Sequence, residues 1–170
     1  ALSRDVQEIA DIAADMAALY RYSIKGGVSA RLRDELDIVR RYLEIMNARM
    51  DGRFCVRFEV PEALGEASVP KMILQPLVEN AVRYGITEQE EGGTIWIQSK
   101  LTSDAVIITI IDDGCGFDTA ETKADGHTHI GITNVRQRLE SQCHASLAII
   151  SIPGVGTKAE ITIPLKEGIL

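Results

Sequence analysis

The strongest constraint on the fold is the order in which strand-like and helix-like patterns of apolar residues follow one another after residue 52. Five segments have strand patterns, and one of these, residues 105–111, is of the buried type because it is almost wholly apolar. Two longer segments repeat apolar residues at helical spacing. The order is strand, helix, two strands, helix, two strands, in residues 54–60, 75–85, 94–101, 105–111, 132–143, 146–152 and 158–165. Consecutive strands joined by short turns predict a mixed or antiparallel sheet. We therefore expect a two-layer α/β sandwich with the helices on one face of the sheet.

The amino-terminal part of the chain has a different, wholly helical pattern. A first apolar stripe ends at a glycine pair, and Ser29 is then the expected N-cap of a second helix that runs to about Asp51. Apolar residues of this second helix alternate three- and four-residue spacings, which suit either a coiled-coil seam or a helix packed on its own domain. The composition changes at Asp51 and Gly52. The pattern predicts a helical segment over residues 1–51 and a separate domain over residues 52–170.

The composition limits the classes of function. The chain has 170 residues, of which 45% are hydrophobic and 25% charged, as in a globular protein with a buried core. Its formal net charge of -7 argues against a nucleic acid partner. Three cysteines without paired spacing fit a reducing compartment. No apolar run reaches transmembrane length. Because the chain begins at Ala1 within a helical pattern, we expect a piece of a longer protein whose membrane spans would lie upstream.

A polar face lies on the predicted helix of residues 75–85 (QPLVENAVRYG). Asn80, Arg83 and Tyr84 are at i, i+3 and i+4, so an α-helix would place them on one face. An amide that can bind a hard cation, beside a guanidinium and a phenol, suits a nucleotide that carries Mg²⁺. A core helix with one satisfied Asn would explain the same pattern equally well.

Two glycine-containing stretches follow the predicted strands. Residues 112–117 (DDGCGF) place Asp112 at a strand end, where a carboxylate can accept a hydrogen bond from an exocyclic amine. Gly114 and Gly116 would let the backbone pass close to a flat ring, although ordinary acidic turns also have this composition. The second stretch is residues 154–157 (GVGT), a tight turn that by itself needs no ligand.

A third glycine, Gly131, opens the predicted helix of residues 132–143. Helix N-termini present free N–H groups and the positive end of the dipole, so they bind phosphate readily. Arg136 and Arg138 would add positive charge, or would simply be solvated arginines. We favour the solvated alternative for Arg136.

Taken together, these motifs resemble those of the catalytic ATP-binding domain of sensor histidine kinases, within the Bergerat-fold ATPases. The resemblance rests on residues 75–81 (QPLVENA), 112–117 (DDGCGF), 131–139 (GITNVRQRL) and Gly156-Thr157. The chain is most similar to LytS-like kinases, because residues 21–23 (RYS) and 35–45 (ELDIVRRYLEI) also resemble the linker of that group. The resemblance implies a Bergerat ATPase fold that is preceded by part of the dimerisation helices.

The resemblance also implies a role for each motif. Asn80 would bind the Mg²⁺ that accompanies ATP, with Arg83 and Tyr84 beside the phosphates and ribose. Asp112 would hydrogen-bond the adenine amine, and residues 118–130 would form a lid over the nucleotide. The other implied nucleotide-binding residues are Gly114, Gly116, Phe117, Gly131, Ile132 and Thr157.

Two positions depart from the family pattern. His129 stands where the lid motif often has its first glycine, which would stiffen the lid. Pro76 stands where hydrolytic relatives such as gyrase carry a glutamate, which favours phosphoryl transfer to a positioned acceptor over hydrolysis. His127 and His129, beside Asp125, could bind a transition metal, but solvated lid residues explain them more simply. No histidine of this chain has the surroundings of the family's phosphoacceptor.

The resemblance therefore implies an enzyme, a protein-histidine kinase that uses ATP and Mg²⁺ in two-component signal transduction. The acceptor histidine would lie upstream, so this part alone should not autophosphorylate. The implied partners are a second copy bound through upstream helices and a response regulator. The domain would be cytoplasmic, in a parent anchored to the inner or plasma membrane. Two alternatives remain open: a degenerate nucleotide-binding or dimerisation module, and a Bergerat-fold ATPase or serine kinase.

Overall fold

The computed structural model describes residues 27–118 and 130–165, with only the backbone of Ile130. The predicted strands and helices are confirmed after residue 52, with bounds that shift by a few residues. The elements are β1 (Ser29–Arg31), α1 (Leu32–Arg49), β2 (Phe54–Glu59), a 3-10 turn (Glu62–Glu66), β3 (Ser68–Pro70), α2 (Gln75–Asn80) continued by a π-helical segment (Ala81–Ile86), β4 (Gly93–Leu101), β5 (Ala105–Asp112), α3 (Ile130–Cys143), β6 (Ser146–Ile152) and β7 (Gly156–Pro164).

Five of the strands form one mixed sheet in the order β2-β4-β5-β7-β6. The β2 and β4 strands are parallel, whereas the other neighbours are antiparallel. The chain returns from β2 to β4 through α2, as a parallel connection requires. The central strand is β5, which lies between two long neighbours along its whole length. Because β5 is hydrogen-bonded on both sides, it can hold a functional residue at its end in a fixed position.

The core lies on one face of this sheet, against the helices. Alternate residues of β5, namely Val106, Ile108 and Ile110, are buried there. The opposite face is polar: the Gln98 amide donates to the Glu59 carboxylate at 2.7 Å, and Lys158 and Glu160 form an ion pair at 2.8 Å. One buried and one solvated face give the expected two-layer α/β sandwich.

The α1 helix belongs to the same core. Leu32, Leu36, Val39 and Leu43 are buried in one cluster with residues of the sheet and of α2. Of the two alternatives for this helix, packing on its own domain is therefore observed. The boundary at residue 51 stays a prediction, and the earlier helical stripe lies outside the described residues.

The predicted N-cap at Ser29 is wrong. Ser29 lies in β1, which pairs antiparallel with β3, and the helix begins at Leu32 with Arg31 as a cap residue that makes no side-chain bond. The first helical amide, Leu32 N–H, instead donates to the Ala67 carbonyl at 2.9 Å. Backbone pairing with a distant segment thus replaces the local cap. Among the described helices, none has both the length and the apolar character needed to cross a membrane.

Candidate functional site

A buried carboxylate stands at the end of the central strand. Asp112 continues the inward-facing row of β5, so it points to the helix side of the sheet, and it is only 4% exposed. Its Oδ1 accepts a hydrogen bond from Gly114 N at 3.1 Å. Burial raises the pKa of Asp112 to about 6, although backbone hydrogen bonds from Gly114 and Thr157 oppose that shift. At neutral pH the side chain is thus a desolvated acceptor suited to a single N–H donor.

The end of the α2 helix is in backbone contact with the loop after Asp112. A Cβ placed on Gly114 would lie 2.3 Å from the Cα of Gly85, and a Cβ on Gly85 would lie 2.6 Å from Asp112 Oδ1. Cys115 N donates to the Gly85 carbonyl at 3.4 Å, and the Cys115 thiol donates to the Tyr84 carbonyl at 2.7 Å. The two backbones can approach this closely only because both Gly85 and Gly114 lack a side chain. The sequence analysis did not single out Gly85, although its place at the end of the QPLVENAVRYG run was a usable signal.

The Gly-Thr turn before β7 meets the same loop from the other side. Gly116 and Gly156 have positive φ angles of 60° and 129°, and added Cβ atoms would lie 2.1 Å from the Ile152 carbonyl oxygen and 2.0 Å from that of Asp112. Both positions therefore need glycine for conformation and for space. Thr157 pairs with Asp112 across the sheet.

Ser151, at the inner side of β6, joins the loop to this turn. Its Oγ accepts from Phe117 N at 2.9 Å and lies 2.9 Å from Thr157 Oγ1. The sequence analysis missed Ser151, because an isolated serine in an alternating strand carries no signal. The Ser151 hydroxyl thus links Phe117, in the loop, to Thr157, in β7.

Asn80 ends the α-helical part of the predicted helix. The expectation of a continuous α-helix to residue 85 is wrong, because residues Ala81–Ile86 form a wider π-helical turn. The Thr87 side chain and amide both bond to the Val82 carbonyl, five residues back, at 2.8 and 2.9 Å, which holds that turn open. Such π segments often occur at functional sites.

Arg83 and Tyr84, both within the π turn, remain in contact. Arg83 is exposed and its guanidinium carbon lies 5.2 Å from the centre of the Tyr84 ring. Asn80 is half-buried, and its side chain makes no hydrogen bond to any residue that the structure describes. An amide in this position is available to a ligand.

The start of α3 lies beside α2. Gly131 is the second residue of α3, and a Cβ there would have Pro76 Cβ as its nearest described neighbour, at 3.9 Å. Pro76 is one helical turn before Asn80, so the N-terminus of α3 lies along the same helix as the amide. Ile132 packs on the core cluster. The predicted lid lies almost wholly outside the described residues, as do His127 and His129.

Arg138 binds the turn that precedes α2. Its guanidinium donates to the carbonyl oxygens of Lys71 and Met72, the latter at 3.5 Å. Arg136 is exposed, in agreement with the solvated alternative. The structure thus brings Asp112, Gly114, Gly116 and Thr157 together around the end of α2, and it places Asn80 and Gly131 further along that helix.

Fold and site define an ATPase domain with its motifs around the end of one helix and one central strand. Residues 65–167 match the family described as histidine kinase-, DNA gyrase B- and HSP90-like ATPase, and residues 1–54 match the histidine kinase family. The chain belongs to this ATPase family, and its amino-terminal residues match the histidine kinase family. The family is an ATP-using one.

Named relatives agree with this assignment. The chain is 32% identical over 141 residues to the sensor histidine kinase YesM of Bacillus subtilis, which covers 82% of this chain and 24% of YesM. It is 24% identical over 169 residues to the sensor histidine kinase BtsS of Escherichia coli K12, which covers 98% of this chain and 29% of BtsS. The chain therefore spans less than a third of these relatives.

Solved structures show the same fold. The histidine kinase AdeS of Acinetobacter baumannii superposes with a TM-score of 0.64 at 15% identity, over 97% of this chain and 79% of the other. The histidine kinase domain of the blue-light activated kinase of Erythrobacter litoralis EL346 gives 0.61 at 20% identity, over 93% and 75%.

Proposed function

We propose that residues 52–170 bind ATP with Mg²⁺ and present its γ-phosphate to a histidine that lies outside this chain. The observation that carries the proposal is the meeting of three motifs around one buried carboxylate. Gly85, Gly114 and Gly156 contact one another or Asp112 through backbone atoms, although they are far apart in the sequence. A packed core has no need of a desolvated carboxylate at such a junction, whereas recognition of a base does.

The adenine end of the proposed site is formed by Asp112 and the loop after it. The Asp112 carboxylate would accept from the exocyclic amine of adenine, in surroundings where burial strengthens the hydrogen bond. Gly114 and Gly116 let this loop lie directly against the backbone of Gly85 and Ile152, and Thr157 and Ser151 hold it from the far side.

The phosphate end is formed by Asn80, Arg83, Tyr84 and the start of α3. Within residues 27–118 and 130–165, no group of three His, Cys or acidic residues could hold a metal by itself. The Asn80 amide oxygen would therefore bind Mg²⁺ jointly with the ATP phosphates, which suits a hard cation that keeps few protein ligands. When bound, Mg²⁺ would neutralise phosphate charge. The N–H groups near Gly131 and the Arg83 guanidinium would orient the phosphates.

Transfer to an acceptor fits this site better than hydrolysis. Pro76 lies one turn before Asn80 and offers no base to a water molecule, and the Glu79 carboxylate accepts a hydrogen bond from Gln75 at 2.8 Å. Positioning and charge neutralisation are the main requirements of phosphoryl transfer, so the chain needs few acid or base groups.

We further propose the LytS-like subgroup, a homodimer formed through upstream helices, a response regulator as the next acceptor, and a membrane-anchored parent that keeps this domain in the cytoplasm. The residues that support the subgroup are the RYS and ELDIVRRYLEI stretches. The sequence upstream of Ala1 would test these points, because a phosphoacceptor histidine on a helix preceded by membrane spans is expected there.

Calorimetry with a non-hydrolysable ATP analogue tests the site. The chain should bind the analogue more tightly with Mg²⁺ than with a chelator, and Asn80→Ala should abolish most of that difference. Gln98→Ala removes an amide from the opposite face of the sheet and is the matched control, with no expected change. Binding without any effect of Mg²⁺, and equal binding by Asn80→Ala, would favour a degenerate module.

Incubation with γ-labelled ATP tests the reaction. The chain alone should incorporate no acid-labile phosphate, whereas a longer chain with the upstream histidine should. Rapid steady release of phosphate by this chain would instead support a hydrolytic ATPase.

A further inference from the structure

One buried carboxylate of α1 binds the start of the helix that carries Asn80. Glu35 is 2% exposed, between the buried Leu32 and Leu36. Its Oε1 accepts from Met72 N at 2.7 Å, and its Oε2 accepts from Ile73 N at 3.0 Å and Leu74 N at 3.4 Å. Leu74 is the N-cap residue of α2 and has no side-chain cap of its own. From another helix, Glu35 therefore caps the three amides that lead into α2, the last of which belongs to the N-cap residue.

The capped segment, residues 71–74, is a turn that needs outside support. Met72 has a φ angle of 60°, a left-handed conformation that is unfavourable for a residue with a side chain. The hydrogen bond from Met72 N to Glu35 is the shortest of the three, at 2.7 Å. We call residues 71–74 the cap turn. Its geometry depends on a partner that lies 37 residues earlier in the sequence.

A second helix holds the cap turn from the other side. Arg138 of α3 donates to the carbonyl oxygens of Lys71 and Met72. Because α3 starts at Ile130, the last residue of the predicted lid, the cap turn joins three parts of the molecule. These parts are α1, the helix after the lid, and the helix that ends in Asn80.

The α1 helix also comes near the end of α2. Tyr42 lies two turns after Glu35, and burial, with a smaller effect of the Glu79 charge, raises its pKa to about 12. Glu79 is the residue before Asn80. Glu35 and Tyr42 thus lie towards opposite ends of α2.

From this geometry we infer that Glu35 is a positioning residue for the Mg²⁺–phosphate end of the site, through which α1 sets the placement of Asn80. Loss of the cap would let the first turn of α2 fray, and Asn80 would lose its fixed direction. The adenine end rests on β5 and would be unaffected. This inference rests on the proposed function, and one measurement below does not.

The test compares Glu35→Gln with Asp34→Asn. The glutamine keeps the shape but has one acceptor atom for three N–H donors, whereas Asp34 is an exposed neighbour whose change removes the same charge. For Glu35→Gln, affinity for the Mg²⁺–ATP analogue should fall about 5- to 10-fold, as expected for a lost cap. Affinity for adenosine should change less than about 2-fold, and Glu35→Asp should partly restore the loss. Asp34→Asn should match the parent.

The inference would be overturned if Glu35→Gln lost the same affinity for both ligands and if that loss matched the fraction of unfolded protein at the assay temperature. Glu35 would then have only a structural role. Unchanged affinity for both would also overturn it.

Amide hydrogen exchange tests the positioning without any nucleotide. Glu35→Gln should speed exchange at residues 72–80 and leave residues 106–112 as in the parent, whereas Asp34→Asn should alter neither. If the parent chain fails to bind the analogue, the proposed function is wrong, and exchange alone then decides whether Glu35 orders α2. Protection that stays the same in Glu35→Gln would contradict the inference.

Discussion

The two ends of the proposed site are built in different ways. At the adenine end, Gly85, Gly114 and Gly156 bring backbone against backbone around Asp112, on the central strand of the sheet. At the phosphate end, Asn80 and Arg83 project from one helical segment, where Asn80 is half-buried and Arg83 is exposed. The first end exists before any ligand binds. The second depends on the direction of one helix, so it is the end that other parts of the molecule can influence.

The largest expected effect comes from Gly114→Ala. Its Cβ would lie 2.3 Å from the Gly85 Cα, so either the loop or the π turn must move. We expect a loss of about 3 kcal/mol in the free energy of unfolding, at the upper end of overpacking, together with loss of nucleotide binding. Urea denaturation and calorimetry measure both.

The matched variant at the other end is Gly131→Ala, whose Cβ has its nearest described neighbour at 3.9 Å. It should change stability by less than about 1 kcal/mol, because a helical position gains from alanine. Similar losses for both glycines would remove the contrast between the two ends.

Asp112→Asn should separate binding from stability. The pKa of Asp112 is raised from 3.8 in the unfolded chain to about 6 in the fold, so its contribution to stability is complete below about pH 3.8 and is lost as the pH rises through 6. At pH 8 the ionised group costs on the order of 3 kcal/mol, which the asparagine avoids.

The variant should therefore gain stability relative to the parent as the pH rises from 4 to 7, as measured by urea denaturation across that range, while its affinity for adenosine falls. A stability difference that does not vary with pH would mean that the carboxylate is not desolvated.

The smallest effect is expected for Arg83→Ala. The exposed guanidinium stacks on Tyr84 at 5.2 Å, a contact worth about 0.5–1 kcal/mol at such a site. Thermal unfolding should shift little, whereas affinity for the Mg²⁺–ATP analogue should fall a few-fold and affinity for adenosine should stay constant. Arg136→Ala, also an exposed arginine, is the control and should leave both affinities unchanged.

The sequence patterns predicted those elements of the molecule that are determined by residues close together in the chain. The nearly continuous apolar run of residues 105–111 predicted β5 with Asp112 at its end. The inward direction of Asp112 emerged only from the structure. Long-range backbone contacts were beyond such patterns. The cap of α1 on the Ala67 carbonyl, the cap of α2 by Glu35 and the Ser151 bridge each join segments that are far apart in the sequence. The π turn escaped prediction because its residues also suit an α-helix.

The packing of α1 determines where this chain can be shortened. The composition change suggests a cut at residue 51, but that cut would remove Leu32, Val39 and Leu43 from the core. It would also leave the amides of residues 72–74 without the Glu35 carboxylate. A chain that starts there is expected to expose an apolar groove and to aggregate. A chain that starts just before Val28 keeps β1 and keeps α1 over the groove. This shortened chain should still fold.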